Sequence, residues 1–472
     1  MTTMLDPACE ASPGAEGWPV ESRDFYVFDT TDGPHLLVVD GSQIFKIDDD
    51  LGRAVAAASV QGEEAARALL ARHGLGLARF IGDEPILDPP LRALSLAVAE
   101  RCNLGCTYCY AEGGSFGGPS REMAWEVAEA SVQRLFAAAN PGERVNLAFL
   151  GGEPLVNRSL IRRATELAAG IAGARKIAIG FSITTNGTLV TPEDGDFFER
   201  YGFAVTVSLD GVGEVHDRQR PAKGGRGSYD RVIANVRLLL ARQRRMQVSA
   251  RVTVTPANLD LRATLDHFIG LGFQSVGFSP MLSAPTGRGE MQAPDLQVLL
   301  DEMIACGREF ERRVAAREAY PFANMMTALE EVHRGTHRPY PCGAGAGYFG
   351  VSASGGLFAC HRFVEDDARS MGHVGQGVDR ERQRPWLAER NVDRQEPCRS
   401  CWARYLCGGG CHYEVIHRGR PACDYIRGWL DYVLGAYVRL SELRPDLFSP
   451  TGANADRLMG RSAAAPMPAM AP

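Results

Sequence analysis

A chain of 472 residues is longer than one hydrophobic core usually organises, so two or three domains are expected. Its composition, 45% hydrophobic and 23% charged, is that of an ordinary globular protein, and a formal net charge of −6 gives no sign of a nucleic-acid or anionic-membrane partner. The sequence contains no apolar run of membrane-spanning length and no N-terminal signal core, which predicts a cytoplasmic protein. In that compartment clustered cysteines are reduced, and they bind metals more often than they form disulfides.

The first predicted unit covers residues 1–90 and combines strands with helices. Residues 25–48 predict three short strands separated by Asp-Gly turns, and residues 51–75 have the spacing and the Ala/Leu/Arg content of a helical segment. The proline-rich stretch "DEPILDPPLR" ends this unit as a joint. Strands followed by helices within so short a stretch predict a small, separate α+β domain.

The second predicted unit, residues 91–318, alternates strands with helices. Six short apolar, β-branched runs, each ended by Gly, Pro, Asn or Asp, are separated by amphipathic stretches. Repeated strand–helix alternation predicts parallel strands joined by crossover helices, and six units are too few for a closed eight-fold barrel. We therefore predict an open, partial (β/α)6 barrel with its chemistry at the strand ends.

Three cysteines directly follow the first strand of this barrel. Cys102, Cys106 and Cys109, here called the barrel triplet, have C-x3-C-x2-C spacing. Thiolates are the usual ligands of iron–sulfur clusters, and a cubane cluster needs four, so three on one loop leave an iron open for a small molecule. A zinc site completed by a distant His is the alternative. Tyr108, between the last two cysteines, either packs in the core or lies against a bound ring.

Polar and glycine-rich motifs end the next three strands. They are "GGEP" at 151–154, "TTNG" at 184–187 and "SLDG" at 208–211. Each alone is compatible with ordinary turn chemistry. Because they end consecutive parallel strands, we expect all of them to line the rim that carries the barrel triplet.

With C-x3-C-x-Tyr-C, GGEP, TTNG and SLDG in this order, about residues 94–315 resemble the radical SAM superfamily. The resemblance implies that S-adenosylmethionine binds the open iron through its amino and carboxylate groups. It also implies that electron transfer from the cluster yields a 5′-deoxyadenosyl radical, which abstracts a substrate hydrogen. The residues that it assigns to this cofactor are Tyr108 beside the adenine, the backbone of Gly151 and Gly152 at the amino group, Glu153 in the same motif, and Asn186, Ser208 and Asp210 facing the ribose or the carboxylate. Arg220 either pairs with the carboxylate or is a surface arginine.

Seven further cysteines lie after residue 340, in the third predicted unit, 319–450. Their spacing, C-x12-G-x4-C followed by C-x2-C-x5-C-x3-C and one more Cys, resembles the SPASM extension, which carries two auxiliary 4Fe–4S clusters. The resemblance implies an outer set, Cys398, Cys401, Cys407 and Cys423, and an inner set, Cys342, Cys360 and Cys411. Relatives often supply another Cys between the first two, and this chain has none there. Three 4Fe–4S clusters are therefore expected. The inner one is expected to have an open iron that could bind a substrate thiolate, unless a non-cysteine group fills that position.

SPASM enzymes mostly modify peptides, which gives residues 1–90 an expected role. Their arrangement resembles the peptide-binding domain of ribosomal-peptide maturases, where a leader segment adds as an extra strand at a sheet edge. A capping domain without a ligand is the alternative. The expected partners are a small-subunit precursor peptide with a leader segment and an electron donor such as flavodoxin or ferredoxin.

His361 follows Cys360 where sulfatase-maturing relatives carry an acid, so the sequence departs from their pattern. Most of residues 20–450 instead resemble the thioether-forming maturases, above all those of quinohemoprotein amine dehydrogenase. This implies crosslinks between Cys sulfur and Asp or Glu methylene carbons in the dehydrogenase small subunit. A SCIFF-type Cys–Thr maturase and a non-catalytic iron–sulfur electron carrier or scaffold are the alternatives. His361 itself is a candidate catalytic base, a cluster ligand or a packed imidazole.

The remaining unusual residues have plain interpretations. Cys306 lies in a helical pattern and is expected to be a core thiol. Residues 365–367 are expected to form a solvated acidic loop, and Cys9 is expected to be idle. The tail 451–472 is low in complexity and is expected to be disordered.

Overall fold

The computed structural model describes residues 19–75, 84–335 and 338–448. The expectations for Cys9 and for the tail 451–472 lie outside these residues. In chain order the strands are β1 Val20–Glu21, β2 Phe25–Thr30, β3 Gly33–Val38, β4 Gln43–Lys46, β5 Ala93–Ala99, β6 Arg144–Gly151, β7 Ala178–Thr185, β8 Ala204–Ser208, β9 Gln247–Val254, β10 Ser275–Pro280, β11 Tyr348–Val351, β12 Gly356–Phe358, β13 Ser370–His373 and β14 Gly377–Val378.

The helices follow the strands in the predicted alternation and then dominate the C-terminal part. They are α1 Asp49–Gln61, α2 Glu63–Arg72, α3 Trp125–Ala137, α4 Arg158–Arg175, α5 Pro192–Tyr201, α6 Glu214–Gln219, α7 Tyr229–Leu240, α8 Leu261–Leu271, α9 Ala293–Ala315, α10 Ala323–His333, α11 Arg380–Arg390, α12 Arg404–Cys407, α13 His412–Arg418 and α14 Cys423–Leu443. Among the described residues, none of these helices has the length and apolar character that a membrane crossing requires.

The N-terminal unit is a four-stranded antiparallel sheet in the order β1-β2-β3-β4 with two helices. The three predicted strands are present, and the short β1 was missed. The helical segment predicted over 51–75 is two helices, because Gly62 has a φ of 127° and breaks the run. A glycine adopts this backbone conformation easily, whereas other residues rarely do.

Both faces of this small sheet are covered. One face of β2 and β3, including Phe25 and Leu36, packs against α1 and α2 in a separate apolar cluster. The opposite face, including Tyr26 and Leu37, joins the main core of the molecule. The N-terminal unit is therefore docked on the rest of the chain by buried apolar surface.

Strands β5 to β10 form the predicted parallel barrel sheet in sequential order. Their outward faces are the apolar ones: Val248, Ala250, Val252 and Val254 of β9 are buried in the core. Because side chains alternate along a strand, the residues between them point into the barrel. The predicted fold class, an open α/β barrel, is confirmed.

The sheet does not stop at the boundary predicted at residue 318. Strand β11 pairs in parallel with β5, and β12, β13 and β14 continue outward as antiparallel hairpins, so ten strands form one sheet. Residues before β11 and after β12 carry Cys342 and Cys360. Cys342 and Cys360 are thereby placed close to β5, the strand that leads into the barrel triplet.

Candidate active site

The cysteine loop is fixed to the neighbouring GGEP turn by backbone contacts. The Gly152 amide donates to the Ala99 carbonyl at 2.8 Å, and the Glu153 amide donates to the Arg101 carbonyl at 2.9 Å. A Cβ at Gly152 would overlap the Arg101 carbonyl, so only glycine permits this approach. The second glycine of GGEP therefore holds the start of the cysteine loop against β6.

Glu153 links two strand ends and is fully buried. Its carboxylate accepts hydrogen bonds from the Leu155 amide at 3.0 Å, the Thr185 hydroxyl at 2.8 Å and the Asn186 amide at 2.8 Å. Burial raises the pKa of this carboxyl, and the three hydrogen bonds oppose that rise. Both carboxylate oxygens are thus engaged with the protein, which makes Glu153 a positioning residue for the TTNG turn.

Asn186 reaches back to the cysteine loop. Its amide nitrogen donates to Asn103 Oδ1 at 2.9 Å and lies 3.7 Å from Cys102 Sγ. Its amide oxygen accepts from the backbone and hydroxyl of Thr188, at 2.9 and 2.6 Å. The side chain is therefore oriented at both ends, with its donor beside the first thiol of the barrel triplet.

Tyr108, Asp210 and Arg220 form one buried polar network. The Tyr108 hydroxyl donates to Asp210 Oδ2, and an Arg220 guanidinium nitrogen lies 2.6 Å from that hydroxyl and 3.5 Å from the same carboxylate oxygen. Burial is the main cause that holds the pKa of Tyr108 well above its usual value; Arg220 opposes the rise and Asp210 adds to it. The ring packs against Met281 and Ala284, so both expected roles of Tyr108, packing and bordering a ligand, are sterically open to it.

The residues of this rim fit the implied cofactor in two respects. The barrel triplet offers three half-buried thiols and no histidine, the donor set of an iron–sulfur cluster with one iron left open. Arg220 Nε is buried and has no hydrogen-bond partner among the described residues. A buried donor of this kind requires an acceptor, and the carboxylate of S-adenosylmethionine is a suitable one.

Electrostatic contacts divide the ten predicted ligands into the three expected groups. They are Cys102, Cys106 and Cys109; Cys342, Cys360 and Cys411; and Cys398, Cys401, Cys407 and Cys423. Burial is the main cause that raises the pKa values of three of these thiols, one in each group, to about 12 for Cys106, about 11 for Cys342 and about 12 for Cys398. Metal binding would release these protons, because thiolates are the ligating form.

Within the described residues, no group of three or more His, Cys, Asp and Glu side chains is arranged to hold a single metal ion. Thiolates bound to separate irons of a cubane stand farther apart than thiolates on one ion. Because they are not arranged around a single ion, the three cysteine groups are compatible with iron–sulfur clusters, whose ligands stand farther apart.

A charged side chain, Arg362, and a neutral aromatic one, His361, lie beside the inner set. Arg362 donates to Glu414 at 2.8 Å and to the Ser283 carbonyl at 3.1 Å, and it lies 3.8 Å from Cys411 Sγ. His361 Nδ1 lies 2.7 Å from the Tyr348 hydroxyl. Burial is the main cause that lowers the pKa of His361 to about 3, so its imidazole is neutral at pH 7.

The barrel triplet and the inner set meet through one aromatic contact. Tyr110, the residue after Cys109, packs edge-on against His361, the residue after Cys360, with ring centroids 5.9 Å apart. The Arg362 guanidinium lies 5.4 Å from the centre of the same tyrosine ring. The first cysteine loop and the β12 hairpin therefore share one wall.

The outer set lies beside the N-terminal sheet. Trp402, directly after Cys401, stacks on Tyr26 with ring centroids 3.8 Å apart and an interplanar angle of 5°. Buried Arg404 pairs with Asp40 and donates to the Arg23 carbonyl. Strand β2 and its neighbours are therefore attached directly to the loop that carries the outer cysteines.

The other predicted residues have the places that their patterns indicated. Cys306 is buried within α9. Ser208 is half-buried on the interior face of β8. Sequence reasoning missed Tyr110, whose signal was an aromatic directly after the last triplet cysteine, and Arg251, whose signal was a charge at an inward position of a barrel strand.

Comparison with known proteins agrees with this geometry. The radical SAM superfamily model matches residues 96–268. The serine-type anaerobic sulfatase-maturating enzyme of Klebsiella aerogenes is 26% identical over 381 residues, which cover 77% of this chain and 88% of that enzyme. The solved structure of native anSMEcpe with bound AdoMet has a TM-score of 0.64 at 20% identity and covers 75% of this chain and 99% of its own; the same protein with AdoMet and the Cp18Cys peptide gives 0.62. The chain therefore has the fold of that structure, an open α/β barrel of the radical SAM type, and residues 96–268 are similar in sequence to the radical SAM superfamily.

Proposed function

We propose that this protein is a radical SAM maturase of peptides that forms intrapeptidyl thioethers in the small subunit of quinohemoprotein amine dehydrogenase. Each crosslink would join a Cys sulfur to a side-chain methylene carbon of Asp or Glu. The observation that carries the proposal is the Tyr110–His361 contact, which puts a three-thiol inner set beside a three-thiol barrel triplet. A substrate between them would have its carbon near one set and its sulfur near the other.

The proposed reaction balances without an added oxidant. The peptide loses one hydrogen from the carbon and one from the thiol, and a carbon–sulfur bond forms. S-Adenosylmethionine takes up one hydrogen and becomes methionine and 5′-deoxyadenosine, and one proton is released. When bound, the barrel cluster and S-adenosylmethionine would supply the hydrogen-abstracting chemistry, and an auxiliary cluster would take up the surplus electron.

The residues of the rim would bind the cofactor and exclude water. Arg220, held by Tyr108 and Asp210, would receive the cofactor carboxylate on its free Nε. Asn186 and Ser208 would complete the polar contacts from the neighbouring strand ends. Because these groups are oriented by buried hydrogen bonds before the ligand arrives, little reorganisation is needed on binding.

The inner set would bind the substrate sulfur. Three thiols leave one iron of a cubane without a cysteine, and ligation there would keep the substrate thiolate deprotonated and fixed. Arg362, 3.8 Å from Cys411 Sγ, adds positive charge that favours an anionic sulfur nearby. The outer set, with four thiols, needs no further ligand and would pass the electron on to or from a donor such as flavodoxin or ferredoxin.

The edge of the N-terminal sheet would receive the leader of the precursor peptide. Strand β4 is an edge strand with half-buried apolar side chains at Ile44 and Phe45. The Ile47 amide donates to the Pro34 carbonyl, so by antiparallel alternation the amides of Ile44 and Lys46 point away from β3. Outward amides on an edge strand are the groups that strand addition uses.

Formylglycine formation is the second candidate, because a sulfatase-maturating enzyme is similar to this chain over most of that enzyme's length. His361 stands where the sequence pattern of those enzymes has an acid, and its lowered pKa makes it a weak base at pH 7. The inner set has three thiols, and the open iron that such a set would leave is suited to holding a substrate thiolate for thioether formation. These two observations favour thioether formation.

Mass spectrometry of the precursor separates the two candidates. The dehydrogenase small subunit and a sulfatase peptide are each co-expressed with the protein, then alkylated and treated with a carbonyl-reactive hydrazide. Thioether formation predicts that each crosslink removes two hydrogens and one alkylatable thiol from the small subunit, with no hydrazide adduct. A hydrazide adduct on the sulfatase peptide, with an unchanged small subunit, would establish formylglycine formation instead.

A further inference from the structure

An arginine on the inner face of the barrel lies between the proposed cofactor site and the inner set. Arg251 alternates along β9 with the buried Ala250 and Val252, so its side chain points into the barrel, where it is exposed. Its Cα partner on β8 is Ser208. Paired residues of neighbouring strands share one face of the sheet, so Arg251 stands directly beside the expected cofactor residue.

The other surroundings of Arg251 belong to the C-terminal unit and to the first cysteine loop. Its electrostatic neighbours are Arg362, Tyr110, Cys411 and Glu414. The guanidinium thus lies within range of one inner thiol and of the aromatic wall between the two three-cysteine sets. Arg251 spans the gap that a substrate would occupy.

The two arginines of this interior differ in their partners. Arg362 forms an ion pair with Glu414 and donates to the Ser283 carbonyl, although its buried Nε has no partner among the described residues. No described residue accepts a hydrogen bond from the Arg251 guanidinium or forms an ion pair with it at contact distance. An arginine remains charged at any physiological pH and presents five donors, so a site with nothing to accept them favours an anionic ligand.

We propose that Arg251 binds the side-chain carboxylate of the Asp or Glu residue that the enzyme crosslinks. This rests on the proposed function, in which hydrogen is removed from a methylene of an acidic side chain. In Asp the methylene carbon is bonded directly to the carboxylate carbon. In Glu one methylene carbon is bonded to the carboxylate carbon, and the other lies one bond farther away. A bidentate guanidinium–carboxylate pair fixes both the position and the plane of the acid, and so holds the methylene in place.

The location explains how one residue would serve both halves of the reaction. From beside Ser208, the anchored methylene faces the cofactor that removes its hydrogen. From within range of Cys411, the same carbon faces the sulfur held at the inner set. Selection of Asp and Glu over neutral side chains would then follow from the charge of Arg251 rather than from side-chain shape.

The experiment measures discrimination between an acid and its amide. Two precursor small subunits are compared, one with a single crosslinkable Glu and one with Gln at that position, in the wild-type enzyme and in R251Q, R251K and R144Q. Arg144 is the matched control, an exposed arginine at the opposite, amino-terminal end of β6 in the same sheet. Crosslinking rates are measured by mass spectrometry, and affinities of both precursors are measured by fluorescence anisotropy with the unreduced, cluster-loaded enzyme.

We expect the wild type and R144Q to prefer the Glu precursor by about 10- to 100-fold in affinity, the range of charge-assisted hydrogen bonds. R251Q is expected to bind the two precursors equally, and R251K to keep part of the preference because lysine keeps the charge but not the planar fork. The affinity for S-adenosylmethionine, measured in parallel, reports any contact between Arg251 and the cofactor.

The contrary outcomes are distinct. If R251Q keeps the full preference and loses affinity for S-adenosylmethionine, Arg251 serves the cofactor carboxylate and the inference is wrong. If R251Q keeps the preference and shifts only the electron paramagnetic resonance spectrum of the inner cluster, Arg251 serves that cluster and the inference is also wrong. If the wild type forms no thioether in the Glu precursor, the proposed function itself fails.

Discussion

The inner and outer cysteine sets lie in one C-terminal unit, yet they differ in what surrounds them. The inner set has three thiols, borders the barrel through Tyr110 and His361, and lies near two arginines, of which Arg251 has no partner at contact distance in the described part of the chain. The outer set has four thiols and is flanked by the N-terminal sheet, through the Tyr26–Trp402 stack and the Arg404–Asp40 pair. The three-thiol set thus borders the barrel, and the four-thiol set borders the N-terminal sheet.

This difference suggests a division of labour between reacting and supporting structure. A cluster that binds a substrate needs an open coordination position and unpaired charged side chains nearby. A cluster that only transfers electrons is stabilised by a complete set of protein ligands and by burial. The attachment of the outer set to the N-terminal sheet also brings the proposed leader site and the electron path onto the same side. Four experiments test this comparison.

The largest effect is expected at the barrel triplet. Replacing Cys102, Cys106 and Cys109 together with Ala should remove about four irons per chain and abolish 5′-deoxyadenosine production, because the open-iron cluster loses every protein ligand. Iron analysis and chromatography of the reaction products measure both. Cys306→Ala is the control, since this thiol is buried in α9 away from all three sets, and it should keep its iron. Product formation by the triple variant would refute the cluster assignment.

The sequence predicted this part of the site well, for a physical reason. Parallel strands end on one edge, so short motifs after consecutive strands must converge, and the cysteine loop, Glu153 and Asn186 do converge there. The continuation of the sheet through β11 to β14 was not predicted. These strands are two to four residues long and rich in glycine, so they show no apolar alternation.

Two arginines show why long-range roles were missed. Arg404 is buried only because Asp40 and the Arg23 carbonyl, more than 350 residues earlier, lie against it, and local sequence carries no trace of that pairing. Arg251 sits in a strand whose buried positions are plainly apolar, so its inward direction could be read from alternation. The sequence could not show that no acidic side chain of the described residues lies at contact distance from Arg251, because this depends on which side chains of other elements are near.

The second prediction separates the inner set from the outer one by ligand response. In the triplet-deficient variant, anaerobic addition of the precursor small subunit should change the electron paramagnetic resonance spectrum of the inner cluster and leave the outer one unchanged, because only the inner set has room for a substrate thiolate. A precursor with its crosslinking cysteines replaced by Ser should change neither. Identical spectra with both precursors would exclude direct thiolate ligation.

The third prediction concerns the attachment of the outer set. Arg404→Gln would remove the buried cation that pairs with Asp40 and lies near Asp24 and Asp393. Removing one partner of a buried ion pair costs about 3–5 kcal/mol of stability. Arg399→Gln, on the same loop but in an exposed pair with Glu396, should cost at most about 1 kcal/mol.

Hydrogen exchange of residues 24–40 and thermal unfolding would measure this difference. Faster exchange in R404Q than in R399Q is expected, since the sheet would lose its anchor on the outer loop. Equal exchange in both variants would mean that the aromatic stack of Tyr26 and Trp402 alone holds the N-terminal unit in place.

The smallest effect is expected at the edge of the N-terminal sheet. Ile44→Pro removes an amide that points away from β3 and leaves the ladder to β3 intact, so it should weaken binding of a fluorescent leader peptide by about 3- to 10-fold, the value of one or two backbone hydrogen bonds. Ile44→Ala is the matched control: it removes the same side chain but keeps the amide. If the two variants bind the leader equally, the backbone edge of β4 is not the contact, and residues 25–90 act as a cap whose task is to cover the outer set. If only the proline variant is impaired, the leader binds to the backbone edge of the same sheet that packs against the outer set, and the barrel interior is left to the reacting residues.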